Sequence, residues 1–250
     1  MASPFLASKI RAPRPASKPM PRPRLAAMLD EGLSGRLTLV SASAGFGKTT
    51  AISDWIARRG LKAAWLSLDA GDADPVTLLA YVSAALRPIV ASGLPDPEAL
   101  LGSSAGISAD SILAGMIEAC GAAAEPFVLV LDDWHAADSP AADRILSELV
   151  ARLPEKMRLV LSTRADPDLP LARLRSQGLL AEIRTSDLRF TADENAEFLR
   201  RALGGRIGPG EAEAVYGRVE GWAAGLQLTA VALRGKAGTG PAGGREELIA

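Results

Sequence analysis

Short apolar runs alternate with segments of helical periodicity along most of the chain. The clear runs cover residues 37–41, 63–68, 127–131 and 157–162, with a weaker one at 180–184. Each run is continuously apolar rather than alternating, which is typical of strands that are buried on both faces. Strands of this kind, separated by helices, predict an α/β fold with a parallel sheet covered by helices on both faces.

Helical periodicity follows the first two runs and dominates the second half of the chain. Helices are predicted over residues 49–59 and 75–90. After about residue 187 the strand signal ends, and residues 191–203, 209–219 and 222–233 have apolar positions at helical spacing. The sheet is therefore expected to be followed by a small helical subdomain.

These patterns divide the chain into four predicted parts. Residues 1–24 hold six prolines and six Lys or Arg residues with no acidic residue, which predicts an extended basic arm on the domain surface. Residues 25–186 form the sheet domain and residues 187–233 the helical subdomain. Residues 234–250 hold five glycines and one proline, so a flexible tail is expected.

Composition agrees with a globular fold and excludes several classes of protein. The 250 residues are 48% hydrophobic and 23% charged, and the net charge of −1 gives no overall attraction to nucleic acid or membranes. The single cysteine, Cys120, excludes a disulfide framework, and the single histidine, His135, argues against a histidine-rich metal site. No apolar run approaches the roughly 18 residues that cross a bilayer, so a cytoplasmic protein is expected.

Residues 41–50, which we call the glycine loop, read Ser-Ala-Ser-Ala-Gly-Phe-Gly-Lys-Thr-Thr. They lie between a strand and a helix, the context that makes a Walker A match credible. Gly45 and Gly47 allow successive backbone N–H groups to face an anion, and the helix N-terminus adds positive potential. Lys48 is expected to reach the β- and γ-phosphates of a nucleotide, and the Thr49 hydroxyl to bind Mg²⁺.

The glycine loop departs from the full Walker A pattern at one position. The pattern G-x-x-x-x-G-K-[ST] begins with a glycine where this chain has Ala42. The later glycines and the Lys-Thr pair are intact, and a turn that binds nothing remains the alternative. The residues expected to contact the nucleotide here are Ala44, Gly45, Phe46, Gly47, Lys48, Thr49 and Thr50.

A pair of carboxylates follows the most hydrophobic run, in a Walker B pattern. Asp132 and Asp133 come directly after residues 127–131. Carboxylates at the carboxyl end of a central strand lie next to the phosphate site of an open α/β sheet. We expect Asp132 to hold Mg²⁺ and Asp133 to polarise the attacking water. The alternative is that both residues only cap the strand.

Two more residues are candidates for the same crevice. His135 either senses the nucleotide or packs beside the strand. Arg164 follows the run at 157–162, where a guanidinium can contact a γ-phosphate or form a surface ion pair. The run at 63–68 separates the glycine loop from the acidic pair along the chain, which is typical of ATPases with an added strand between the two motifs.

Assembled in order, these segments resemble the N-terminal ATPase domain of the large ATP-binding regulators of the LuxR type, the MalT-like branch of the STAND P-loop NTPases. The resemblance spans residues 9–233. The matching segments are residues 9–13, 22–25, 44–50, 64–69, 130–135, 158–164, 187–191 and 220–228.

The resemblance implies a molecular switch with ATP, ADP and Mg²⁺ as cofactors. It implies a closed form with ADP, a self-associating form with ATP, and weak ATPase activity that resets the switch. It places Arg24 near the nucleotide and the segment around Trp222 over the base. The remaining residues that it assigns are the same as above, with Lys48 and Thr49 at the phosphates and Mg²⁺, Asp132 and Asp133 as the acids, and Arg164 as the sensor.

Three positions depart from the family pattern. Ser43 replaces a usual proline, Trp134 replaces Tyr or Phe, and residues 223–224 are Ala-Ala where some members have a proline. Such regulators also continue into a winged-helix module, an inducer-binding repeat domain and a DNA-binding helix-turn-helix. We therefore expect a fragment or a short relative, with no direct DNA binding by this chain.

Two other functions remain open on the sequence alone. The chain could hold ADP without catalysis and serve only for self-association. It could also be a stand-alone P-loop enzyme such as a kinase, although no acceptor site is recognisable.

Overall fold

A computed structural model describes residues 6–14, 20–102 and 108–236 of the chain. A parallel five-stranded sheet in the order β2-β3-β4-β1-β5 forms its centre. All five predicted strands are confirmed to within one residue at each end. The strands are β1 (Leu37–Ser41), β2 (Ala63–Ser67), β3 (Phe127–Asp132), β4 (Met157–Thr163) and β5 (Leu180–Arg184).

Helices connect the strands and continue beyond the sheet. The helix predicted at 75–90 ends earlier, at Leu86, and the helix predicted at 222–233 runs on to Lys236. Four further helices, which the apolar spacing did not predict, lie between residues 97 and 176. The helices are α1 (Pro23–Gly32), α2 (Lys48–Arg59), α3 (Pro75–Leu86), α4 (Pro97–Gly102), α5 (Ala109–Gly121), α6 (Pro140–Ala151), α7 (Leu171–Ser176), α8 (Thr185–Leu188), α9 (Ala192–Ala202), α10 (Pro209–Val219) and α11 (Ala223–Lys236).

Side-chain caps define where several helices begin. The Asp74 carboxylate accepts a hydrogen bond from the N–H of Thr77 at the start of α3. The Ser139 hydroxyl accepts one from the N–H of Ala142 at the start of α6. Both helices have proline at their first position, where the missing N–H has no partner to lose. Local sequence therefore favours helix starts at these two positions.

Helices cover both faces of the sheet, as the continuously apolar strands predict. Leu129 and Leu131 of β3 belong to a large core with residues of α3, α5 and α6. Val128 and Val130 of the same strand belong to a second core, which includes Trp55 of α2 and residues of α1. The two periodic faces of one strand thus fill two separate cores.

The strand order brings the ends of three strands together. In the sheet, β4 lies between β1 and β3, whereas β2 occupies the edge beside β3. The added strand between the glycine loop and the acidic pair is therefore β4, and not the run at 63–68 that separates them along the chain. Arg164, directly after β4, consequently follows a strand that is flanked by both motifs.

Helices α9, α10 and α11 form the small helical subdomain after the sheet. Their apolar core includes Leu199, Val215 and Leu226, all nearly or fully buried. Phe190 joins this core from the segment before α9. The tail predicted for residues 234–250 lies largely outside the described residues, which end at 236. The division at residue 187 remains our proposal.

The first of the two described parts of the basic arm, residues 6–14, contacts the sheet domain through a buried lysine. Lys9 is 8% exposed, and its Nζ lies 2.5 Å from Asp72 and 3.1 Å from Asp69. The Lys9 carbonyl accepts a hydrogen bond from Ser67 of β2 at 2.8 Å. Residues 1–5 and 15–19 lie outside the described residues. The arm is thus attached by specific bonds rather than by charge alone.

Removing the Lys9 ammonium is expected to destabilise the fold. Asp72 is fully buried, and Lys9→Ala leaves its charge without a counter-ion, which costs about 3–5 kcal/mol for buried pairs. Urea unfolding of Lys9→Ala measures this loss. The control is Lys62→Ala, because Lys62 pairs with Glu125 on the surface, where an ion pair contributes little. Equal losses for the two variants would contradict the role of the buried pair.

Candidate nucleotide-binding site

The glycine loop has the backbone conformation that an anion-binding turn requires. Gly45 and Gly47 both have φ of +80°, in the left-handed region that favours glycine. Among the described non-glycine residues, only Asp133 and Glu220 have positive φ, so Ala42 has no such requirement. An alanine at position 42 therefore fits the backbone without strain.

Lys48 folds back onto the loop that precedes it. Its Nζ donates to the carbonyls of Ala42 at 2.7 Å and Ser43 at 3.2 Å. The side chain is buried, and this burial lowers the pKa of Lys48, with the positive charge of Arg164 adding to the effect. The ammonium thus lies at the loop, beside the glycines, in a partly desolvated setting.

Thr49 and Asp132 meet across the carboxyl edge of the sheet. The Thr49 hydroxyl donates to the two carboxylate oxygens of Asp132, at 2.9 and 3.1 Å. Asp132 is only 2% exposed, and its burial raises the pKa of this carboxyl, whereas the bond from Thr49 opposes that shift. The two residues that the sequence assigned to Mg²⁺ are therefore in direct contact.

Three further polar residues surround this pair. Asp133 has φ of +59°, and its Oδ1 lies 3.9 Å from Nδ1 of His135. Burial lowers the pKa of His135, and the charges of Asp133, Arg164, Lys48 and Asp132 all act on it. Arg164 is exposed and forms no ion pair within residues 6–14, 20–102 and 108–236. The structure thus brings the acidic pair, His135, Lys48 and Arg164 into one crevice.

The helical subdomain docks directly on the glycine loop. The N–H of Ala224, at the start of α11, donates to the carbonyl of Gly45 at 2.9 Å. The indole Nε1 of Trp222 donates to the carbonyl of Ala44 at 3.3 Å. A Cβ on Gly45 would lie only 2.7 Å from that Nε1. Trp222 therefore contacts the loop backbone, and its place over a nucleotide base stays a prediction of the family resemblance.

A cleft of about 1080 Å³ lies between the helical subdomain and α2, next to the contact of α11 with the glycine loop. This volume is sufficient for a nucleotide-sized ligand. Three arginines line its subdomain side, and two of them, Arg200 and Arg201, share an ion pair with Glu197. The lining residues include Phe46, Gly47, Thr50, Ala51 and Asp54 on the loop and α2, Arg22 and Leu25 near α1, and Phe190, Phe198, Ala223, Arg200, Arg201 and Arg234 on the subdomain side.

The two arginines that flank the start of α1 have different positions. Arg24, the residue predicted near the nucleotide, is exposed and donates to the carbonyls of Asp187 and Arg189. Arg22 lines the cleft instead, with its side chain 12% exposed. Sequence reasoning missed Arg22 because the two arginines are alike in type and only two positions apart.

Strand order, the glycine loop and the facing carboxylate define a nucleotide-binding α/β ATPase fold. The family model for the AAA ATPase domain matches residues 22–162, more than half of the chain. The chain belongs to the AAA ATPase domain family. The resemblance to MalT-like regulators is also confirmed, because MalT proteins match more than nine tenths of the chain.

Two curated relatives match almost the whole chain. The HTH-type transcriptional regulator MalT of Cronobacter sakazakii is 31% identical over 234 residues, which are 94% of this chain and 26% of that protein. The serine/threonine-protein kinase PknK of Mycobacterium tuberculosis is 32% identical over 238 residues, 93% of this chain and 21% of PknK. The chain thus spans about a quarter or less of the length of these relatives.

A solved structure shows the same fold. It is the signal transduction ATPase with numerous domains, a STAND protein with a tetratricopeptide repeat sensor, of Pyrococcus horikoshii. It superposes with a TM-score of 0.63 at 15% identity, over 88% of this chain and 30% of that one. Within the described part of this chain, no helix has the length and apolarity needed to cross a membrane.

Alanine at Gly45 is expected to displace the helical subdomain. Gly45 and Gly60 both have positive φ, so both substitutions strain the backbone by roughly 1–2 kcal/mol. A Cβ at Gly60 meets nothing within 4 Å, whereas one at Gly45 collides with Trp222 and Ala224. Gly45→Ala should therefore lower stability more than Gly60→Ala and shift the fluorescence of Trp222. Thermal unfolding and emission spectra of both variants test this, and matching results for the two would contradict it.

Proposed function

We propose that the crevice around Thr49 and Asp132, together with the cleft that Gly47 and Thr50 line beside it, binds ATP or ADP with Mg²⁺, and that the chain is the weakly hydrolysing switch module of a larger regulator. The observation that carries the proposal is the contact between Thr49 and Asp132 at 2.9 Å, beside the two left-handed glycines. This combination supplies a metal-side hydroxyl and carboxylate next to an anion-binding turn. The family membership and the length of the relatives support a module within a larger protein.

The glycine loop and the start of α2 would hold the phosphates. Backbone N–H groups around Gly45 and Gly47 face an anion in such turns, and the N-terminus of α2 adds a positive dipole. The Lys48 ammonium, now bonded to two loop carbonyls, would exchange these neutral acceptors for phosphate oxygens. Charge-assisted bonds are stronger than neutral ones, so this exchange favours binding.

The donor set fits magnesium rather than a transition metal. No cluster of three or more His, Cys, Asp or Glu side chains that could hold a metal occurs among the described residues. Magnesium typically takes one or two protein oxygens and completes its shell with water and substrate phosphates. Thr49 and Asp132 would provide those protein oxygens. When bound, the ion would neutralise charge on the β- and γ-phosphates.

Hydrolysis would depend on Asp133 and Arg164. Asp133 is half-exposed, so its carboxylate is accessible to a water molecule. It would orient and polarise that water for attack on the γ-phosphate. Arg164, with no ion-pair partner in the described ranges, would stabilise the charge of the phosphoryl group in transfer. His135 lies beside these groups, with its Nδ1 3.9 Å from Oδ1 of Asp133.

The docking of the subdomain on the glycine loop supports a switch. Because Ala44 and Gly45 offer carbonyls to Trp222 and Ala224, any shift of the loop on nucleotide binding moves the partners of the subdomain. Self-association in the ATP state follows from the family resemblance. Action on DNA would come through other parts of a longer protein or through a partner, and the setting would be cytoplasmic.

Replacing Lys48 tests nucleotide binding. Lys48→Ala removes the ammonium that bonds the carbonyls of Ala42 and Ser43, and we expect ADP affinity to fall by about a hundredfold or more. Isothermal titration with Mg-ADP measures this change. Lys62→Ala serves as the control, since Lys62 pairs with Glu125 on the surface. Unchanged ADP affinity in Lys48→Ala would refute the proposed site.

Replacing Asp133 separates binding from catalysis. We expect Asp133→Asn to bind ATP like the wild type but to lose multiple-turnover phosphate release, because an amide cannot accept a proton from water. Phosphate release under excess Mg-ATP is the measurement. Undiminished release by the variant would remove Asp133 from the mechanism. A wild-type chain that binds ADP without any turnover would favour the ADP-holding, non-catalytic module instead.

A further inference from the structure

Arg22 is held by the segment that joins the sheet to the helical subdomain. Its Nη1 donates to the carbonyl of Leu188 at 2.9 Å, and its Nη2 to the carbonyl of Arg189 at 2.7 Å. Its Nε and Nη2 donate to the same carboxylate oxygen of Glu194, at 3.2 and 2.9 Å. These four bonds use most of the five N–H donors of a guanidinium, so Arg22 is committed to protein acceptors.

Stacking and burial reinforce this arrangement. The guanidinium carbon of Arg22 lies 4.2 Å from the centre of the Phe190 ring. The side chains of Arg22 and Glu194 are only 12% and 14% exposed, so their ion pair is poorly screened by solvent. The Glu194 carboxylate also accepts a bond from the N–H of Thr191 at the start of α9. One carboxylate therefore joins the arm to the first helix of the subdomain.

Phe190 also contacts the turn before α11. Its N–H donates to the carbonyl of Gly221 at 2.9 Å. Gly221 has φ of +73°, and a Cβ there would lie 2.4 Å from the Phe190 carbonyl oxygen. The two backbones are thus in direct contact, with no room for a side chain at Gly221. Gly221 is followed immediately by Trp222, which donates to the glycine loop at Ala44.

We propose that Arg22 is a positioning residue for the nucleotide site, acting through Phe190 and Gly221 to seat Trp222 and Ala224 on the glycine loop. Every step of this path is a direct contact: guanidinium on ring, backbone on backbone, and indole on loop carbonyl. The effect on ligand affinity rests on the proposed nucleotide function, whereas the seating of Trp222 does not. Lysine cannot replace Arg22, because a single ammonium cannot reproduce the planar set of donors.

Trp222 gives a direct readout of the proposed seating. It is 39% exposed, whereas the other three tryptophans, Trp55, Trp65 and Trp134, are each at most 2% exposed. Acrylamide quenching of the intrinsic fluorescence therefore reports mainly on Trp222. In the nucleotide-free protein, we expect Arg22→Gln to raise the quenching constant and Arg11→Gln to leave it unchanged. Arg11 is the matched control, an exposed arginine of the same arm.

Affinity for Mg-ADP gives the second readout. We expect Arg22→Gln to weaken binding by roughly tenfold to a hundredfold, the range for lost charge-assisted bonds. Arg22→Lys should restore only a small part of the Mg-ADP affinity that Arg22→Gln loses. Glu194→Gln breaks the same ion pair from the other side and should raise Trp222 quenching as well, which keeps the test decisive if Arg22→Gln unfolds. Circular dichroism and thermal unfolding check the fold of each variant.

The outcomes separate this proposal from the proposed function. Wild-type quenching and wild-type ADP affinity in both Arg22→Gln and Glu194→Gln would overturn the positioning role. Weaker ADP binding with unchanged Trp222 quenching would also overturn it, since Arg22 would then act by touching the ligand. A wild-type chain that binds no nucleotide would refute the proposed function, while the quenching comparison would still decide the role of Arg22.

Discussion

The hydrogen bond from the Ala224 N–H to the Gly45 carbonyl joins the two walls of the cleft. One wall belongs to the sheet domain and carries the glycine loop, and the other belongs to the helical subdomain. The bond engages the same short turn whose N–H groups are suited to an anion. Because the Gly45 carbonyl bonds to the subdomain, the position of the subdomain and the conformation of the glycine loop are linked by direct contact. This constraint also explains the glycine at position 45, where a side chain would strike Trp222.

Lys48 and Asp132 hold opposite charges in a partly buried crevice. Burial lowers the pKa of Lys48 and raises that of Asp132, so each charge is held at some desolvation cost. Bonds to loop carbonyls and to Thr49 compensate part of that cost. A phosphate chain with its magnesium would give both groups charged partners. Under the proposed function, the ligand would thus offset the part of the desolvation cost that the present hydrogen bonds leave.

Much of the fold followed from the sequence because the central strands are nearly continuous apolar runs separated by polar or helical segments. The order of the strands did not, since β4 enters between β1 and β3 through tertiary packing. Helix α5 was not predicted, because Gly115 and several small residues interrupt its apolar stripe. Within the site, motif spacing placed Thr49 beside Asp132. Whether Arg22 or Arg24 lines the cleft depends on where residues 187–194 fold back, which no local pattern shows.

Hydrogen exchange with and without ADP tests most directly whether nucleotide and subdomain share the glycine loop. The amides to follow are those of residues 44–50 and the Ala224 amide, which is bonded to Gly45. We predict that Mg-ADP slows exchange in the loop and at Ala224 together. Slower exchange in the loop with no change at Ala224 would show that nucleotide binding and subdomain docking are independent, and would contradict the account.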